Sequence, residues 1–278
     1  MTPYPPTPGR QGEAARGSGM RLIPERLRRR RRDPEASMTL VEHLDELRTR
    51  LVISMVAIAV GAVVGWLLYD RIVELLLEPY CDYWRTVPPE VRPTEGCTLF
   101  FMGAVDPVLI KLKVVAFVGL FIALPVVLWE LWRFVVPGLR ARERRYAIPF
   151  VFFSVLLFAL GAFLAYVTLP KALGFLLGFA GSQFTPLLTG DRFLSFVMLV
   201  ALAFGLSFEF PIVLIFLTAA GVVSTQQLRS WRRWVILGIA VFAAFITPSA
   251  DPYTMLAMMI PMCLFYEAAI IVGRFLRR

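Results

Sequence analysis

The sequence has one histidine and three cysteines among its 278 residues, and only 18% of its residues carry charge. A single histidine leaves no His/Cys set to hold a metal and no Ser/His pair for proteolysis within a membrane. Three cysteines are too few for the disulfide framework of a small secreted domain. No glycine-rich phosphate loop precedes a helical pattern, so there is no expected site for ATP. No catalytic residue, metal site or cofactor is therefore expected. The shortage of charge excludes most, because soluble domains carry about 25% charged residues.

Apolar residues fill the gap. They make up 58% of the chain and collect in runs such as LVISMVAIAVGAVVGWLLY (51–69) and YAIPFVFFSVLLFALGAFLAYVTL (146–169). Runs of this length are too long and too uniform for soluble core helices. The expected fold is all-α, an integral membrane bundle of six transmembrane helices at 51–69, 114–136, 147–169, 194–218, 234–247 and 255–273. The first four are long enough for a hydrocarbon core of about 30 Å. The fifth is short and ends at TPSADPYT, where two prolines and Asp251 reverse the chain. The fifth and sixth spans are thus predicted to form a short hairpin that stops short of the far face or thins the bilayer.

The net charge of +9 would suggest nucleic acid in a soluble protein. Here the charges sit between apolar runs and serve membrane orientation instead, with no nucleic-acid partner expected. Six crossings put both termini on one side, and 22 of the 29 basic residues fall on that side. Both termini are therefore expected to be cytoplasmic. Trp129, Trp132, Trp231 and Trp234 lie near cytoplasmic ends, where interfacial aromatics belong. Residues 1–37, with RLRRRRR at 26–32, read as a basic disordered extension to a membrane domain at 38–278; translation from Met38 would remove it. On the far side, DRIVELLLEPY (70–80) is amphipathic and would lie on the membrane surface or cap the bundle. Cys81 and Cys97 share that loop and can pair if it faces an oxidising compartment; Cys263 lies in an apolar run.

Three polar features stand out. In TLVEHLDELRTRL (39–51), Thr39 and Glu42 fit a capping box, and Leu40, Leu44, Leu47 and Leu51 form an apolar stripe. His43, Glu46 and Arg50 project together beside it, either as a charge-paired interfacial helix or as a binding face. In FVVPGLRARERRY (134–146), Glu143 is the one carboxylate among four loop arginines. It is either an ion pair within the loop or a carboxylate ready for a cationic ligand, and a guanidinium suits it best. Glu209, with Pro211 and Ser207 nearby, lies deep in the fourth span, where a charge costs at least about 2.5–3.5 kcal/mol. Glu130 and Glu267 are weaker cases, closer to the cytoplasmic end.

HLDELRTRL (43–51), ALPVVLWELWRFVVPGLRARERR (123–145), LSFVMLVALAFGLSFEFPIVL (194–214) and ITPSADPYTMLAMMIPMCLFYE (246–267) together resemble TatC, the six-span core subunit of the twin-arginine protein translocase. The likeness covers about 38–275; residues 1–37 and much of 80–97 fall outside it. It implies a cytoplasmic-membrane receptor, bacterial or archaeal, for Arg-Arg signal peptides of folded cargo. Export would run on the proton-motive force with TatA-type and TatB-type single-span partners, in a larger complex within the lipid.

By the same resemblance, Glu46 and Glu143 contact the signal arginines. Neighbouring family positions fall on His43, Leu47, Arg48, Arg50, Trp132, Phe134, Pro137 and Arg144. Pro107 matches an outer-loop proline important for translocation, and Glu209 the intramembrane glutamate that meets a partner helix. Two other readings stand beside this one: a proton-coupled small-solute transporter using Glu209, and a scaffold that only binds other membrane helices.

Overall fold

The computed structural model describes residues 40–88, 96–135, 147–179, 187–247 and 251–276. The described part is helical: α1 (Leu40–Leu67), α2 (Tyr69–Thr86), α3 (Asp106–Val135), α4 (Ala147–Gly178), α5 (Gly190–Ser207), α6 (Phe210–Ala219), α7 (Thr225–Ile246) and α8 (Pro252–Leu276). Five segments are long and apolar enough to cross a bilayer: His43–Leu67, Asp106–Phe134, Ile148–Gly178, Gly190–Ala219 and Pro252–Gly273. The chain is an all-helical, multi-pass membrane protein.

Several expectations are corrected in detail. The stretch at 39–51 is not a separate interfacial helix, because α1 continues from Leu40 into the first apolar run. The capping-box residue Thr39 lies outside the described residues. The fourth span is interrupted at Phe208 and Glu209 and resumes as α6, with Pro211 in its first turn. Proline is tolerated there because its missing N–H would have no intrahelical partner anyway.

The last hairpin is less short than expected. Helix α8 has 25 residues, about 37 Å at helical rise, which is ample for a span. Only α7 keeps a short apolar portion, because its first half, TQQLRSWRR, is polar. That half starts at a capping box that the sequence reading did not single out: Ser224 Oγ accepts from Gln227 N at 3.1 Å, and Gln227 Oε1 accepts from Ser224 N at 2.8 Å.

Helix α1 packs chiefly on α3, and the contact is close enough to need glycine. A Cβ on Gly61 would lie 2.6 Å from Gly119 O, and one on Gly119 would lie 2.8 Å from Ile58 O. Small residues of this kind let membrane helices gain dispersion contact where no hydrophobic drive exists between them. The main core gathers Val114, Ala165, Leu169, Val197, Phe204, Phe208, Met258 and Tyr266 from α3, α4, α5, the break and α8.

Of its two expected placements, α2 takes the capping one. It buries Leu76, Tyr80 and Trp84, and Tyr166 of α4 donates to Leu75 O at 3.0 Å and Glu78 Oε2 at 2.9 Å. Burial holds the Tyr80 and Tyr83 phenols above their ordinary pKa. Cys81 and Cys97 are joined as a disulfide, with their Cα atoms 5.2 Å apart. The connections that lead into α3 and α5 are tied by Gly190 N donating to Phe100 O at 2.8 Å and Phe100 N to Leu188 O at 3.2 Å.

Candidate functional site

The N-terminal half of α1 and the C-terminal end of α3 bring together Glu46, Arg50 and Glu130. Arg50 Nη1 donates to Glu130 Oε2 at 2.7 Å, and Nη2 donates to Glu46 Oε1 at 3.0 Å. The Glu46–Arg50 pair follows from i, i+4 spacing on α1. The Glu130 contact joins residues 80 positions apart and exists because α1 lies so close to α3. Among the described residues, two carboxylates thus share one guanidinium. Glu46 Oε2 is buried without a hydrogen-bond partner among the described residues. The Glu130 side chain is 8% exposed and that of Glu46 is 20% exposed, so Glu46 is the more accessible acid.

Next to the cluster, the His43 ring stacks on Phe134 with centroids 4.3 Å apart and planes 18° from parallel. Arg48 and Leu47 are exposed on α1. Glu143, Arg144 and Pro137 lie outside the described residues. Trp132 points inward rather than to the interface: it is buried, and it packs on Phe150 and Phe216 at centroid distances of 5.2 Å and 5.1 Å.

Trp132 leads to a second polar site. Its indole Nε1 donates to Ser154 Oγ at 3.0 Å, and the Glu209 carboxyl lies near the same hydroxyl. Ser154 of α4, fully buried, therefore links α3 to the break between α5 and α6. Glu209 Oε1 is buried and unpartnered among the described residues. Ser207, expected as the companion of Glu209, instead donates to Ala203 O at 2.6 Å on its own helix. The sequence offered a weak sign of Ser154, a serine in a largely apolar run, but only the fold shows what it faces.

The remaining expected residues are placed separately. Pro107 is exposed in the first turn of α3, just after Asp106, whose Oδ2 accepts from Gly103 N at 2.8 Å and Met102 N at 3.1 Å. Glu267 is held by Arg232 Nε at 2.6 Å, so α7 and α8 are pinned at one end. Tyr266 also donates its hydroxyl to Leu228 O across that seam.

Comparison with known proteins bears on this arrangement directly. The model of the Sec-independent protein translocase protein family, TatC, matches residues 42–261. The chain belongs to the TatC family. It is 46% identical over 248 residues to the TatC of Frankia casuarinae, covering 88% of this chain and 68% of that one. With the TatC of Aquifex aeolicus it shares 41% identity over 244 residues, covering 87% and 97% of the two chains. A crystal structure of the twin-arginine translocase receptor TatC superposes with a TM-score of 0.67 at 40% identity, covering 85% of this chain and all of that one. As a member of the TatC family the protein is a component of Sec-independent protein transport and not an enzyme. Both polar sites lie within the matched region.

Proposed function

We propose that this protein is the receptor that binds twin-arginine signal peptides at the cytoplasmic face. In this reading Glu46 and Glu143 meet the two peptide guanidiniums, with His43, Arg48, Phe134 and Arg144 shaping the surroundings. The observation that carries the reading is the imbalance at α1 and α3: two carboxylates, one guanidinium, and a buried Glu46 oxygen with no partner. A further guanidinium would restore neutrality, and charge-assisted hydrogen bonds contribute about 1.5–3 kcal/mol each. Trp132 acts from within, by packing and through Ser154. Glu209 meets a polar group on a TatA-type or TatB-type partner helix, with Ser154 in the companion role expected of Ser207, and Pro107, in the first turn of α3, borders the outer loop that export requires.

The proposed topology has six crossings, with α7 as the shortest, and both termini in the cytoplasm of a bacterial or archaeal cell. Residues 1–37 are a basic extension and 38–278 the membrane domain; export of folded cargo is driven by the proton-motive force in a larger, self-associating complex. The arginine distribution supports this orientation. So does the Cys81–Cys97 disulfide, because such bonds persist on the oxidising side of a membrane.

The test is binding of a twin-arginine signal peptide to the purified protein in detergent, beside a twin-lysine version and the Glu46→Ala and Glu143→Ala variants. Binding is expected to be lost with twin lysine and weakened by either alanine. Binding indifferent to all three changes would remove the receptor role from these residues.

A further inference from the structure

We infer that Glu130 is a positioning residue for peptide recognition: it holds Arg50 so that Glu46 can be given up to an incoming guanidinium. The inference rests on the reading of Glu46 as a signal-arginine contact and adds a residue that need not touch the peptide.

Arg50 bridges the two acids unequally. Its contact to Glu130 is 2.7 Å against 3.0 Å to Glu46, and Glu130 is the more buried of the two. A guanidinium is planar and presents five donors, so it can satisfy one carboxylate bidentately when the other is withdrawn. If a peptide guanidinium takes Glu46, Arg50 has Glu130 to stay with, and the cluster passes from two acids and one base to two neutral pairs. Neither Arg50 nor Glu130 is left uncompensated at low exposure, which would be the costly outcome.

The converse exposes the role of Glu130. Without its charge, Arg50 has Glu46 as its remaining acid and closes on it, and the peptide must then displace a bound intramolecular arginine. Arg50 thus competes with the ligand, and Glu130 draws the competitor away. The sequence left Glu130 among the weaker carboxylates because nothing in the local pattern of α3 shows that Arg50 lies 2.7 Å away.

Peptide binding to the full chain in detergent tests this with a synthetic twin-arginine signal peptide. Glu130→Gln is expected to weaken binding at least about ten-fold, the lower end of what one charged hydrogen bond corresponds to. Arg50→Gln is expected to bind at least as tightly as the unaltered protein. The double variant Glu130→Gln/Arg50→Gln should recover to within about two-fold of the unaltered protein, since the competitor is gone along with its holder. Rescue by a second loss is not what a merely structural Glu130 would produce.

Unchanged binding in Glu130→Gln, or a double variant as weak as the single, overturns the inference while leaving Glu46 as a contact. If Glu130→Gln does not yield a monodisperse protein, Arg50→Gln decides alone, and weaker binding there overturns the inference. Binding unaffected by Glu46→Ala would overturn the receptor reading of Glu46 itself, and the inference with it.

Discussion

The two polar sites treat a carboxylate of low exposure in opposite ways. At α1 and α3, Glu46 and Glu130 are held by a guanidinium at 3.0 Å and 2.7 Å. At the break between α5 and α6, Glu209 has the hydroxyl of Ser154 beside it, and its Oε1 has no partner among the described residues. The first site is built from charge and suits a charged ligand. The second meets its carboxyl with a neutral hydroxyl and suits a neutral polar group on another helix, because neither partner is comfortable alone in lipid. The two sites share α3, which carries Glu130 at the first and reaches Ser154 through Trp132 at the second, with different chemistry at each.

If charge compensation is what distinguishes the first site, removing its cation should have the largest effect. Arg50→Gln leaves two carboxylates facing each other at low exposure, and breaking such a pair costs about 3 kcal/mol. The expected result is a lower thermal midpoint in detergent, partly restored by a twin-arginine peptide that supplies the missing guanidinium. A midpoint that does not move would mean that solvent already compensates these acids.

The closeness of α1 to α3 is the next thing to alter. Gly119→Val puts a branched side chain where even a Cβ meets Ile58 O at 2.8 Å. The helices must separate, at an overpacking cost of about 1–3 kcal/mol. The expected outcome is a lower midpoint and weaker peptide binding, because Arg50 and Glu130 move apart with their helices. The Glu209 end, held by α4 and α5, should keep its geometry; cysteine cross-linking between α4 and α5 should proceed as before.

These consequences show what sequence alone can and cannot carry. Glu46 and Arg50 share one helix face, so their pairing follows from spacing on α1. Glu209 was evident because a carboxylate in an apolar run is costly wherever that run lies. The roles of Glu130 and Ser154 were not evident, since each owes its role to a residue on another helix, Arg50 on α1 and Glu209 at the break. The spans were largely visible as apolar runs. The interruption at Phe208 and Glu209 was not, because the run is apolar on both sides of Glu209, and Pro211 alone does not say where a helix gives way.

Ser154→Ala sharpens the contrast from the neutral side. It removes the acceptor for Trp132 Nε1 and the hydroxyl beside Glu209, with an expected cost of about 1–2 kcal/mol in thermal or denaturant unfolding. Tryptophan emission should shift as the buried indole loses its partner. Peptide binding should change far less than in Glu130→Gln, because Ser154 compensates no charge at the first site. A loss of binding as large as that of Glu130→Gln would mean that the two sites work as one.

The smallest effect on stability is expected from Glu209→Gln. In the charged cluster, replacing an acid by its amide removes the partner of a guanidinium. Here no guanidinium among the described residues is involved, and the amide still offers an oxygen to Ser154 while its NH2 takes the other position of a carboxyl whose Oε1 is buried without a partner among them. The change should stay within about 1 kcal/mol, as a neutral hydrogen-bond exchange does. Partner-helix contact discriminates more finely. If recognition needs only a hydrogen-bonding group, Glu209→Gln should retain cross-linking to a TatA-type or TatB-type helix that Glu209→Ala loses. If Glu209→Gln loses it as well, the carboxyl itself is required, and the second site would resemble the first in reading charge.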